Sequence, residues 1–454
     1  MTTPVTSQEP SLRPYRPGFI FSFFNAMGWT IALGSPLVLL AESLGATAAQ
    51  VGLLSSFVFL LLPIQVLATV GLPRLGYKRQ VLAAWSLRTV FLLIPLGIAL
   101  MEPEGEQPHL VNLLLFSVFM FCFFRSLGTC AVQPWLFDLL PENLQSRYFG
   151  TDVMVVGCSG IMTLVFSGLT FSYFTGYLPF SIQYGFALIG SIIALVALSR
   201  LPSVPPPEPF DAIRVFTEGP RILREPGSFR KYLLITIIWI TSGSAVGPFG
   251  VYYLRVELDL ARDVILLFIA LLSAGAIAGA WVFRTRLDRI GVRNAFALVV
   301  GLHLMVFSIW ISFIGGRHWF DVEFGIWTLV IAYFFLGVAG SCFQITHLRY
   351  LSFLASGRDR ALRVSLQTAT LGFLAGLASI GWGFLFREPS GEPGMNVNAF
   401  LLYFVGIFII QFVLLPLIRS LKEPSGDYKP LINSRGFLRT FRFLATIPVL
   451  RNKK

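Results

Sequence analysis

Twelve stretches of about twenty apolar residues restrict what this chain can fold into more than any other feature of its sequence. They lie near 18–41, 48–71, 81–101, 110–132, 151–174 and 182–200, then near 231–254, 264–284, 295–315, 325–346, 364–386 and 397–419. At about 1.5 Å per residue, a helix of roughly twenty residues crosses the ~30 Å hydrocarbon layer of a bilayer. Inside that layer every backbone N–H and C=O must be satisfied within the segment, which leaves the helix as the conformation for runs of this length. Only 13% of the residues are charged and 55% are apolar, whereas soluble domains carry about 25% charged residues. The sequence predicts an all-α membrane protein with twelve transmembrane helices. Residues 1–17 are polar and include Arg13 and Arg16, and the first apolar run is long enough to span, so no cleavable leader is expected.

An even number of spans returns both ends of the chain to one side. Of the 35 Lys and Arg residues, 29 fall in the two tails and in the loops on that side, and 4 fall in the opposite loops. Arg88 and Arg125 are the two that lie within spans. The positive-inside rule then places both termini in the cytoplasm, with the chain in the plasma (inner) membrane. The net charge of +12 is a property of loops and tails and does not point to nucleic acid. Cys122, Cys130, Cys158 and Cys342 all sit in apolar runs without metal-ligand spacing, and His109, His303, His318 and His347 are scattered. No glycine-rich nucleotide loop is present. No catalytic residue, metal site or cofactor is expected, and neither an enzyme nor an ATP-driven pump fits.

The turn Pro73–Arg79 (PRLGYKR) recurs as Asp288–Asn294 (DRIGVRN), each following a long apolar run. Gly76 and Gly291 are 215 positions apart, and glycine suits a tight reversal because it takes positive φ without steric conflict. Arg147 follows Gly76 by 71 positions and Arg360 follows Gly291 by 69. A shared period of this kind marks a duplicated chain. The proline-rich stretch PSVPPPEP, within 201–230, reads as a linker, with a short surface helix expected near 210–216. The expected organisation is a tail (1–17), six helices (18–200), the linker, six helices (231–419) and a basic tail (420–454) that touches membrane lipid. Within that tail, Arg435, Arg439 and Arg442 share one helical face and Phe437, Leu438, Phe441 and Leu444 the other.

Two pseudo-symmetric six-helix bundles joined by a basic linker resemble the major facilitator superfamily. That family carries G-x-x-x-D-R-x-G-R-[KR] in the loop after the second helix of each half. Asp288, Arg289, Gly291 and Arg293 match its core in the second half; Arg74, Gly76, Lys78 and Arg79 match in the first, where Pro73 replaces the acid. The resemblance covers roughly residues 18–420. It implies alternating access, with a latch at the cytoplasmic end built from Gly76, Arg147, Asp288, Arg289, Gly291, Arg360 and Arg363. Asp288 is expected to pair with Arg360 or Arg363, and Pro73 leaves the first-half latch altered or absent. In the fourth helix the family often has Gly four residues after an Arg; here Gly128 follows Arg125 by three.

The resemblance also implies that helices one, four, seven and ten line the solute cavity. Their polar and aromatic residues are Asn25, Trp29, Arg125, Trp239, Ser242, Ser244, Tyr252 and Gln344. A charge within a span is costly and turns toward a cavity or partner, so Arg125 either binds solute or is bonded to backbone carbonyls or Asp152. Arg88 is expected to snorkel toward the cytoplasm. Glu42 and Asp152 are read at helix ends, leaving no acid in mid-span. The function expected is secondary active or facilitative transport, by a monomer, of a small organic solute that is anionic or amphipathic. The alternative is a non-transporting scaffold or assembly factor that keeps the fold, for which the absent acid at position 73 leaves room. Gly275 and Gly279, and Gly372 and Gly376, are expected at close helix contacts.

Overall fold

The apolar runs fold as helices in the computed structural model of the chain, which describes residues 11–208, 212–224, 226–322, 324–355, 357, 359–386 and 396–423. Every regular element among them is helical. Twelve are long and apolar enough to cross a membrane: Arg13–Ser43, Gln50–Leu75, Tyr77–Leu100, Pro108–Leu139, Glu142–Tyr173, Leu178–Ser199, Ser228–Val256, Leu267–Ile290, Val292–Trp319, Trp327–Leu354, Arg360–Leu385 and Val397–Arg419. They are called spans 1 to 12 below. The linker helix runs Ala212–Arg224, further along than the sequence places it. The expected amphipathic helix within 434–454 lies outside the described residues.

Several spans are interrupted where the sequence places a proline. Span 1 divides into Arg16–Leu33 and Ser35–Ser43 on either side of Gly34, two residues before Pro36. A Cβ at Gly34 would run into the carbonyl of Thr30. Span 7 divides into Ser228–Gly243 and Val246–Val256, just ahead of Pro248. Proline has no N–H to close the ladder, and the helical segment that ends at Gly243 ahead of it leaves its last carbonyls in need of other donors. Trp382 Nε1 donates to Thr241 O at 3.1 Å and the Tyr403 hydroxyl to Ser242 O at 2.7 Å. Two neighbouring spans thereby satisfy the break in a third.

Spans 4 and 5 are each 32 residues long. At ~1.5 Å per residue they exceed the hydrocarbon thickness by more than ten ångströms. Their surplus projects at the end carrying the basic loops, called the basic end below. Asp152 therefore stands in the third turn of span 5, not at a helix end as the sequence suggests. An apolar run reports where lipid begins, and this helix starts before it.

The duplication is written into the hydrogen bonds. Gly76 (φ 73°, ψ 158°) and Gly291 (φ 79°, ψ 160°) have the same left-handed conformation. Lys78 Nζ donates to Leu201 O at 2.7 Å, and Arg293 Nη1 to Arg419 O at 3.4 Å. Trp135 Nε1 reaches Pro202 O at 3.1 Å, and the Tyr350 hydroxyl reaches Lys422 O at 2.9 Å. Gln145 Nε2 donates to Leu140 O and Arg360 Nε to Ala355 O. Each donor pair is separated by the 215 positions that separate the glycines. The counterpart of Arg360 is accordingly Gln145, and the near-equal spacing that selects Arg147 is two residues out of register.

Spans 1, 5 and 6 pack together in the first half of the chain, as do spans 7, 11 and 12 in the second. Between the halves, span 5 lies along span 8 and touches span 10, while span 11 meets spans 2 and 4. Gly275 and Gly279 do face a close neighbour. A Cβ on Gly275 would overlap Phe334 O, and one on Gly337 would overlap Leu272 O, so spans 8 and 10 meet backbone to backbone. Gly372 and Gly376 face Leu62 and Phe59 of span 2 across the contact between halves.

Candidate functional site

Two features stand out: a pair of arginines midway through the first-half spans, and a polar latch joining the halves at the basic end.

The arginines come from spans 3 and 4. Measured along the helices from their basic ends at ~1.5 Å per residue, Asn25, Arg88 and Arg125 all lie roughly 16–21 Å in, a length that for Arg125 includes the projecting part of span 4. Gly128 makes their arrangement possible, because a Cβ there would enter the ring of Trp85. The six-membered ring of the indole packs against span 4 at Gly128, and Nε1 donates to Asn25 Oδ1, 2.9 Å away. Arg88 Nη2 donates to the same oxygen at 2.6 Å. The Arg88 guanidinium rests 4.6 Å from the Trp85 ring centroid and 5.0 Å from that of Phe121. Arg125 stacks 4.2 Å from the centroid of Trp29. Arg88 Nε and Arg125 Nη1 are buried with no hydrogen-bond partner among the described residues. Nor does any described carboxylate form an ion pair with either arginine. Asp152 is not the partner of Arg125: no ion pair joins them, and Asp152 Oδ1 is buried without a hydrogen-bond partner among the described residues.

Arg88 departs from the snorkelling expected of it. It is 2% exposed, held within the helix bundle by an asparagine of another span. Of the sequence candidates, Asn25, Trp29 and Arg125 come together. Trp239 is buried against Phe296, Phe343 and His303 in the second half. Ser242 is buried too, its hydroxyl bonded back to Trp239 O at 3.0 Å, and Ser244 bonds Thr241 O in the same way. Tyr252 and Gln344 are exposed and stand apart from the arginines in the chain's second half.

At the basic end, Asp288 Oδ1 accepts from the Ser146 hydroxyl at 2.7 Å and from Arg349 Nε at 3.5 Å. Arg349 Nη1 and the Ser352 hydroxyl both donate to Gln145 Oε1, at 3.2 and 2.6 Å. Spans 5, 8 and 10 are thus sewn together across the halves. On the other side of the pseudo-symmetric arrangement, Arg360 of span 11 pairs with Asp138 of span 4. The pairing expected of Asp288 with Arg360 or Arg363 is therefore replaced: Arg349 takes Asp288, Arg360 takes Asp138, and Arg363 lies over the Phe229 ring. Arg147 and Arg289 project from the surface. The carboxylate missing at Pro73 has a substitute in Asp138 near the basic end of span 4, and the sign of it in the sequence was an acid at 138 close to the end of the fourth apolar run.

Away from the latch, the halves leave a cavity of about 670 Å³ between spans 1, 5, 7 and 8, lined by Pro36, Leu164, Phe171, Val251 and Arg255 among others. Among the described residues, no group of three or more His, Cys, Asp or Glu could hold a metal ion.

The profile of the Major Facilitator Superfamily matches residues 18–324. Comparison with curated protein sequences finds none that matches. Among solved structures, the chain is similar to the human organic anion transporter MFSD10 (TETRAN), with 13% identity and a TM-score of 0.70 over 90% of this chain and 100% of that one. A bacterial homologue of the iron transporter ferroportin, in an outward-facing state, aligns with 13% identity and a TM-score of 0.69 over 90% and 98%. The fucose:proton symporter FucP of E. coli aligns with 13% identity and a TM-score of 0.66 over 89% and 98%.

Proposed function

The chain belongs to the major facilitator superfamily, and from that premise we propose that it is a secondary active or facilitative transporter of a small organic solute with an anionic group. Two six-helix bundles, 18–200 and 231–419, rock about a site at mid-membrane, and the chain works as a monomer in the plasma (inner) membrane with both termini cytoplasmic. The observation that carries this reading is Arg125, stacked on Trp29 midway along span 4 with a buried N–H that no described group takes. A buried charge of this kind needs a counter-charge, and a carboxylate or phosphate matches the guanidinium fork. The ion pair and hydrogen bonds at the basic end represent the state closed on the cytoplasmic side. The scaffold alternative drew on the missing acid at position 73, and Asp138 supplies a carboxylate to Arg360 from span 4 instead. The test is uptake of labelled organic anions into proteoliposomes. Arg125→Ala is expected to abolish uptake while membrane insertion and yield stay normal; unchanged uptake would remove Arg125 from the site.

A further inference from the structure

We propose that the solute is a dianion, a phosphate monoester or a dicarboxylate, with Arg88 supplying the second positive charge that matches it. This rests on the reading of Arg125 as a solute-binding residue and extends it to the valence of the solute.

The charge count leads here. Arg88 and Arg125 share one cluster, and no described carboxylate pairs with either. The hydrogen bond that Arg88 makes goes to a neutral amide oxygen. Its Nε and the Nη1 of Arg125 are both buried and unpartnered. Asp152 of the next span forms no ion pair with either of them. A monoanion would leave one of these charges uncompensated in a medium of low dielectric; a dianion neutralises both.

The surroundings suit a site that empties and refills. The faces of Trp29, Trp85 and Phe121 lie against the two guanidiniums. Cation–π attraction holds the arginines in place when no anion is present. Asn25 receives both Trp85 and Arg88 on Oδ1, which fixes its amide so that the N–H groups face away from Arg88. Arginine in place of lysine is apt for a dianionic solute, because its planar fork grips two oxygens at once.

The experiment compares probes that differ by one charge: methyl phosphate with dimethyl phosphate, and succinate with its monomethyl ester. Affinities are measured on the purified full-length protein at about pH 7.5, where a phosphate monoester is mostly doubly ionised because its second pKa is near 6. The wild type is expected to prefer each dianion by about tenfold or more. Arg88→Gln is expected to bring the ratio close to one while monoanion binding persists, and Arg88→Lys to retain most of the preference and so control for misfolding. A wild type without preference, binding of neither dianion, or an unchanged ratio in Arg88→Gln overturns the proposal. If Arg125→Ala still binds all four probes normally, the underlying reading of the site falls as well.

Discussion

Removing the Arg349 guanidinium should shift the protein toward the state open at its basic end by about thirtyfold. Arg349 is 14% exposed and reaches across from span 10 to Gln145 of span 5. A hydrogen bond from a charged donor contributes about 1.5–3 kcal/mol. The second contact to span 5, with Glu142 at 3.8 Å, adds almost nothing, because that carboxylate is 86% exposed. Gln145 keeps Ser352 and Asp288 keeps Ser146, so neither acceptor is orphaned when Arg349 is lost. The loss should therefore be near the lower end, about 2 kcal/mol, which is the thirtyfold factor. Spin labels at Arg79→Cys and Arg286→Cys, both exposed and on different halves, report the separation by pulsed dipolar spectroscopy once the four native cysteines are replaced. Arg349→Ala should enlarge the long-distance population by that factor relative to the short one. An unchanged distance distribution would refute the assignment of this cluster as a latch.

Charge reversal tests the other half of the latch: Asp138→Arg and Arg360→Asp should each depress uptake, and the double variant should recover it, which a pair of independent surface residues would not do. Gly128→Val should drive the Trp85 ring off span 4, lowering stability by about 1–3 kcal/mol and abolishing uptake; thermal unfolding and transport read the two effects. Gly291→Ala, at φ 79°, should destabilise by about 1–2 kcal/mol, and an unaltered melting temperature would show that the turn relaxes.

The membrane fold was plain in the sequence because a run of twenty apolar residues has few alternatives in water or lipid. The two glycine turns could be read for a similar reason, since Gly76 and Gly291 occupy a conformation that other residues resist. Arg125, Asn25 and Trp29 could be named because a polar residue within an apolar run is conspicuous. Their neighbours could not. Arg88 looked able to snorkel because the sequence does not say that Asn25, 63 positions away, faces it. Trp239 looked like a cavity residue because helix rotation is invisible in one dimension, and rotation turned it into the second-half core; Ser242, though buried, lines a cavity of about 480 Å³ beside Trp382. The same gap hid the choice of Arg349 over Arg360 for Asp288, since both are basic, both lie near the loop after span 10, and only tertiary register separates them. Asp152 was misplaced for a different reason: span 5 begins in water, ten residues before it.

The most direct test of alternating access about the arginine site is the accessibility of Trp29→Cys, in a background without other cysteines, to a membrane-impermeant thiol reagent added from one side at a time. The account expects labelling from the side opposite the basic loops in the otherwise native protein, and labelling from the basic side once Arg349→Ala opens the latch. Labelling from both sides at once, or the same one-sided labelling with and without the latch, would contradict it.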